Sequence, residues 1–294
     1  MGIFDNIKYR FKQKDILIRL IVINVAIFLL FAVVSVIATL FKLGNMDVLT
    51  NYVGVPSDVS LLIKRPWTLF TYMFFHDLGD IFHILFNMLF LYWFGQIFLS
   101  YFNSKNLGSL YILGGLAGAV LYIIMFNTIP YYIDMEHFPM IGASASVTAI
   151  IFAASFYNPN QRINLLLLGS VKIVYVALFI FVIDFIALKS NTNPGGHVAH
   201  IGGAILGYIY AMQYRKGKDI TRWISRMIDG ISNLFKPKPK MKVKYKRTET
   251  DYEYNQRKHK DAEDIDQILD KIKASGYGSL TKDEKKRLFD ASKK

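Results

Sequence analysis

Two side chains able to do covalent chemistry stand far apart in the chain, each among apolar and small residues. Ser144 lies in Gly142-Ala143-Ser144-Ala145-Ser146, and His200 lies in Ala199-His200-Ile201-Gly202-Gly203-Ala204-Ile205-Leu206-Gly207. A hydroxyl and an imidazole are each costly in hydrocarbon unless they find a partner. Paired with each other, they are a nucleophile and its base, the equipment for opening a peptide carbonyl. A serine alone says little, because most intramembrane serines bond back to their own helix. Ser144 differs in following Gly142 at the end of an apolar segment, where the first N–H groups of a helix have no intrahelical acceptor. An amide there can hold the negative oxygen of a tetrahedral intermediate.

Further polar residues accompany these two. His83 and Asn87 are spaced to project from one face of a helix. They read either as a polar pair at a membrane boundary or as donors completing an oxyanion hole through an imidazole N–H and an amide NH2. Asp184 reads as a structural hydrogen-bond partner rather than a third catalytic member, and His197 as a solvated residue in the loop before the last apolar segment. His76, His83, His137, His197 and His200 all fall toward one side of the membrane, which raises a zinc protease as a rival. No His-Glu-x-x-His occurs, so neither a metal nor any other cofactor is expected. The chain has no cysteine, which excludes thiol nucleophiles and disulfides.

These residues must be positioned by membrane helices. Hydrophobic residues make up 53% of the 294, and they cluster into runs long enough to cross a hydrocarbon core of roughly 30 Å. Spans are expected at about 16–41, 80–99, 107–129, 142–158, 171–188 and 196–214, with Asn164 to Ser170 either the first turns of the fifth or an interfacial stretch. Lys8, Arg10, Lys12, Lys14, Lys105, Arg162, Arg215, Lys216 and Lys218 flank one side, which predicts that both termini are cytoplasmic. The second, fourth and sixth spans then run inward. At about 1.5 Å per residue, Ser144, His200, His83 and Asn87 reach a similar depth in the outer leaflet. Ala199, Gly203 and Gly207 make one smooth face, and Ala145, Ala149 and Ala153 another; such faces let helix backbones approach in lipid. A transporter is disfavoured by the lack of paired repeats and interrupted helices.

Beyond Arg215 the character changes. Ile220, Trp223, Ile224, Met227, Ile228, Ile231, Leu234 and Phe235 recur at helical spacing, followed by a Lys-Pro alternation from Lys236 to Lys240 and further basic residues. Much of the net charge of +13 lies here. This reads as an amphipathic helix and a linker drawn to anionic lipid headgroups, with no nucleic acid partner. Ile265, Ile268, Leu269 and Ile272 then form a stripe, and Thr281-Lys282-Asp283-Glu284 is a capping box opening a last helix.

Three motifs together resemble the rhomboid family of intramembrane serine proteases. They are His83-xxx-Asn87, Gly142-Ala143-Ser144-Ala145 and Ala199-His200-xx-Gly203-xxx-Gly207, each in its expected span. Arg65-Pro66-Trp67-Thr68 through His76 is similar to the latter part of that family's first loop. The resemblance, over roughly residues 15–215, implies an all-α, six-span bundle with a membrane-dipping first loop, to which the residues after it add a small helical cytoplasmic tail. The segments would be 1–15, a basic N-terminus; 16–215, the catalytic bundle; 216–248, amphipathic helix and linker; and 249–294, the tail. It implies a Ser144–His200 dyad, without a carboxylate orienting the histidine, in which Ser144 attacks the scissile carbonyl of a transmembrane substrate to form an acyl-enzyme, His200 shuttles the proton, and His83, Asn87 and the Ser144 amide hold the oxyanion. Gly142, Ala199, Gly203 and Gly207 would pack the helices around the site. The alternative it leaves is a weak or inactive relative that binds transmembrane helices without cutting them. The chain departs from the family pattern at Thr68 and Thr148, where rhomboids often carry an arginine and an aromatic ring, and lacks a glutamate after Gly95. A bacterial cytoplasmic membrane is the expected location.

Overall fold

The computed structural model describes residues 15–43, 47–135, 139–165, 169–190, 192–234 and 250–292. The basic residues before Asp15, His137, and the Lys-Pro linker lie outside them. The chain forms two compact units, one up to Lys236 and one from Pro237.

In the first unit, the Asp15 carboxylate accepts from the amides of Leu17 and Ile18 and starts α1 (Ile16–Leu40). Short helices α2 (Asp47–Val53), α3 (Val59–Lys64) and α4 (Thr68–Thr71) and a 3₁₀ turn at Tyr72–Phe74 make up the first loop. Asp80 caps α5 (Ile81–Leu99) and Asn103 caps α6 (Ser104–Thr128). There follow α7 (Pro130–Ile133), α8 (Ser144–Tyr157), strands β1 (Arg162–Leu165) and β2 (Gly169–Lys172), α9 (Ile173–Ala187), α10 (Pro194–Arg215) and α11 (Arg222–Leu234).

Each expected apolar run therefore contains a helix. By length and composition α1, α5 and α6 are able to cross a membrane, while α8 and α9 are apolar but shorter, at 14 and 15 residues. In α10 the glycines and histidines dilute the apolar character of a 22-residue helix. Large apolar side chains such as Leu29, Phe86 and Phe179 are exposed on α1, α5 and α9, surface that suits hydrocarbon rather than water.

The all-α expectation needs one correction. β1 and β2 pair antiparallel from Arg162↔Lys172 to Leu165↔Gly169 ahead of α9. Asn158-Pro159-Asn160 ends α8 with turn-forming residues, and Gly169 sits at φ +68, a left-handed conformation that glycine adopts without strain. Arg162 then ties the pair, donating from Nε to Ser170 Oγ at 2.9 Å.

At the centre of the unit α6, α8 and α10 meet almost backbone to backbone. A Cβ on Gly118 would lie 2.6 Å from Ala145 Cβ and 2.8 Å from Ala199 O, and one on Gly202 would lie 2.7 Å from Ala117 O. Cβ atoms on Gly203 and Gly207 would strike the carbonyl oxygens of Ala145 and Ala149. Small residues are thus a steric requirement at this junction, because dispersion contacts between helices drive packing where lipid surrounds them.

The first loop is fastened by side chain to backbone bonds. Trp67 Nε1 donates to Tyr52 O at 2.9 Å, Thr71 Oγ1 to Val53 O at 2.7 Å, and the buried Tyr72 hydroxyl to Gly115 O on α6. At the other end of α6, Asn106 donates to Asp219, Lys105 pairs with Asp229, and Ser109 bonds Ser225. These contacts dock α11 with Ile224 buried, while Trp223 and Met227 remain exposed.

The second unit is slighter. A Thr250–Glu253 capping box starts α12 (Asp251–Ser275), a 3₁₀ turn follows at Tyr277–Ser279, and the Thr281–Glu284 box starts α13 (Lys282–Ala291). Lys271–Glu284 and Arg287–Asp264 ion pairs clip α12 to α13.

Candidate active site

A cavity of about 1410 Å³ opens among α5, α8, α10 and the first loop, and Ser144, His200, His83 and Asn87 all line it. Thr148, Asp184 and His76 share its wall.

Ser144 is the first residue of α8, and the strand-like segment ahead of it is tightly placed. Met140 exchanges two backbone hydrogen bonds with Val55, each 2.9 Å, and the Gly142 amide donates to Tyr72 O at 3.0 Å. Gly142 has φ +124, and a Cβ there would sit 2.8 Å from His83 Nε2 and 3.6 Å from Ser144 Oγ. Glycine is required here for its backbone conformation and for the closeness of the imidazole. The His83 ring and the Ser144 hydroxyl thus both border the space over this glycine. The helices that begin after Asp15, Asp80, Asn103 and Asn193 are capped by those side chains, whereas Ala143 offers none to α8. The first amides of α8 are therefore not satisfied by a side-chain cap, and the serine leads them.

Asn87 is buried, and its amide nitrogen donates to His83 O at 2.8 Å. One N–H of the amide is used in that bond, which fixes the side chain on the cavity wall and leaves a second donor. His76, in the loop before α5, packs its buried ring edge-on to His83 with centroids 5.1 Å apart, and its ring nitrogens have no hydrogen-bond partner among the described residues. Burial pulls the His76 ring down to about 3, so it is neutral and acts as an apolar wedge behind His83.

His200 is set by the start of α10. Asn193, in the left-handed conformation at φ +52, accepts from the Gly196 amide, and Pro194 occupies the first turn. Three residues beyond His200, Gly203 meets Ala145, which directly follows Ser144. His200 Nδ1 lies 2.8 Å from Asp184 Oδ1, and His197 Nδ1 lies 2.9 Å from the same oxygen. A carboxylate accepting the Nδ1 proton leaves the lone pair on Nε2, the tautomer a general base needs. Among the described residues, the hydrogen bond of His200 runs to Asp184 and not to Ser144.

Two expectations change here. His197 is not a solvated loop residue: the Asn193–Pro194 start puts it inside the first turns of α10, where it donates to Asp184. Asp184 makes a hydrogen bond as expected, but to the candidate base itself. Thr148 lines the cavity, while the bond that orients His200 comes from Asp184. A signal for Asp184 was present, since it is the lone charged residue of Ile173–Ala187, and an ionisable group in an apolar helix marks a functional position by default. Its partner lies on another helix, which no spacing reveals.

Comparison with known proteins gives the family of the helical bundle. Residues 64–217 match the Rhomboid domain, and residues 248–294 match a family of unknown function (DUF6576). RHOMBOID-like protein 12, a mitochondrial protein of Arabidopsis thaliana, is 29% identical over 216 residues, covering 70% of this chain. The chain spans 60% of the length of that relative.

Proposed function

The chain belongs to the rhomboid family, and from that premise we propose that it is an intramembrane serine endopeptidase cutting transmembrane segments of other membrane proteins. The observation that carries this reading is the single cavity shared by Ser144, His200, His83 and Asn87. In the proposed reaction Ser144 Oγ attacks the scissile carbonyl while His200 Nε2 takes its proton, with Asp184 holding the ring from Nδ1. The oxyanion receives N–H groups from the Ser144 amide, His83 and Asn87. His200 then gives its proton to the leaving amine, and water admitted through the cavity releases the acyl group by the same path. A helical carbonyl is already hydrogen-bonded, so the substrate segment unwinds near the site, which favours small or helix-breaking residues.

Six helices cross the membrane in this reading, with both termini in the cytoplasm of a bacterium and the basic tail near anionic headgroups. α8, at about 1.5 Å per residue, spans only some 20 Å, which would sink Ser144 beneath the outer boundary. No cofactor takes part in the chemistry.

A second reading, a relative that binds transmembrane helices without cutting them, is favoured by Thr148 in place of an aromatic ring and by the lack of a Ser144–His200 bond among the described residues. The deciding experiment incubates the detergent-purified full chain with a reporter transmembrane substrate, beside Ser144→Ala and His200→Ala. Cleavage by the wild type alone supports the protease. Equal product from wild type and Ser144→Ala overturns it.

A further inference from the structure

We propose that Asp184, His197 and His200 form a site for one divalent transition-metal cation of the zinc class, and that occupancy switches the general base off. The binding half stands on the geometry alone; the switching half rests on the proteolytic reading above.

The three side chains converge from two helices. His197 and His200 are three residues apart, on one face of α10, and each points Nδ1 at the same Asp184 oxygen, at 2.9 and 2.8 Å. One ligand atom from each residue lies within 4.8 Å of the others. Two imidazoles and a carboxylate are the donor set that suits zinc and its first-row neighbours. Bonds of about 2.0–2.2 Å to such an ion set tetrahedral donors about 3.3–3.6 Å apart, so each nitrogen–oxygen pair must widen by roughly half an ångström and the rings must turn to bring the two nitrogens to the same separation. His200 and Asp184 face the cavity, so the ion would keep an open position for water.

Charge supplies the reason for a cation to bind. The Asp184 side chain is 8% exposed, and its ion-pair partners among the described residues are these two histidines. Hydrogen bonds from the two rings satisfy one of its oxygens, and a buried carboxylate is held best by a full opposite charge beside it. The rest of α9 is apolar. A divalent ion held by both rings would supply that charge.

The consequence for His200 follows from its tautomer. To bind metal, Nδ1 must present its lone pair, so the proton it gives to Asp184 moves through water to Nε2. An Nε2–H has no lone pair for the Ser144 proton, and acyl transfer stops. Nothing is oxidised or reduced. A zinc protease dies with a chelator, whereas this enzyme is released by one.

The test titrates Co2+ into the chelator-treated, detergent-purified full chain and follows visible d–d absorption, then displaces it with Zn2+. The expected result is a saturable one-to-one band that Ser144→Ala retains and His197→Gln weakens by at least about 10-fold, the least that losing even an outer-shell partner of a metal ligand usually costs. In the cleavage assay, the Zn2+ concentration for half inhibition rises by the same factor in His197→Gln, each protein being compared with its own rate in chelator. No saturable band in the wild type, or equal affinity in wild type, His197→Gln and Asp184→Asn, overturns the site. A band with no Zn2+ effect on an active enzyme overturns the switch. A band on a protein that never cleaves sinks the protease reading and the switch together, and leaves the site standing.

Discussion

In α8, 11 of 14 residues are buried, and its neighbours α6 and α10 come so close that a methyl group does not fit at Gly118, Gly202 or Gly203. In the tail the buried side chains among the described residues are Ile268 and Leu280. Helix ends there are closed by the Thr250–Glu253 and Thr281–Glu284 boxes, and exposed ion pairs hold the hairpin. One unit is fixed by steric fit and the other by local hydrogen bonds and surface charge. The first kind of packing can hold catalytic groups to the accuracy that chemistry demands. The second yields to pH and salt, which suits a part that need not keep such geometry.

The comparison is sharpened first by removing chemistry without packing. Ser144→Ala should cost at least about 10³-fold in cleavage, measured with the reporter substrate, at an unchanged melting temperature in detergent. Next comes Asp184→Asn, which keeps the shape but exchanges a charged acceptor oxygen for an NH2 donor and so no longer fixes the His200 tautomer. We expect kcat to fall by about 10²–10⁴-fold, as for the aspartate of other serine proteases, with KM close to wild type. A raised KM at unchanged kcat would make Asp184 a structural residue only.

Packing itself is broken by Gly203→Ala, whose new methyl would strike Ala145 O. About 1–3 kcal/mol of stability should be lost, as in other overpacked cores, read as a lower melting temperature. The same change at Gly278 in the tail, where a Cβ meets nothing within 4 Å, should leave that temperature alone.

A smaller effect separates the units by pH. The Lys271 ammonium, together with the Thr281 amide and hydroxyl, holds Glu284 down to about 2 from an ordinary 4.5. A depressed carboxylate supports the fold fully above its ordinary value and loses that support as pH falls toward the folded one. Amide protection of α13, corrected for intrinsic exchange, should therefore decline between about pH 4.5 and 2, while α8 stays protected. Smallest of all, deleting residues 249–294 should leave cleavage within about twofold, since no chemistry is assigned to the tail; complete loss would give it a part in the site.

Much of this was legible in the chain because its cause is local. The apolar runs fall where the helices form, and the Thr281–Glu284 box is written in four consecutive residues. Spacing likewise revealed the Ala145–Ala149 and Gly203–Gly207 faces, since periodicity survives folding. The β1–β2 hairpin was hidden because the leucines around Leu165 look the same in a helix and a strand. His197 was misplaced because Asn193 and Pro194 open α10 earlier than its apolar pattern does. The bonds from Asp184 to two histidines on another helix are set by tertiary approach, which one sequence does not record.

The most direct test of the central claim is the intact mass of the purified chain after exposure to a fluorophosphonate, with the adduct located by peptide mapping. An activated serine should give a single phosphonyl adduct on Ser144, absent from Ser144→Ala and strongly slowed in His200→Ala and Asp184→Asn. An unmodified wild type, or an adduct that forms equally in Ser144→Ala, would contradict the account.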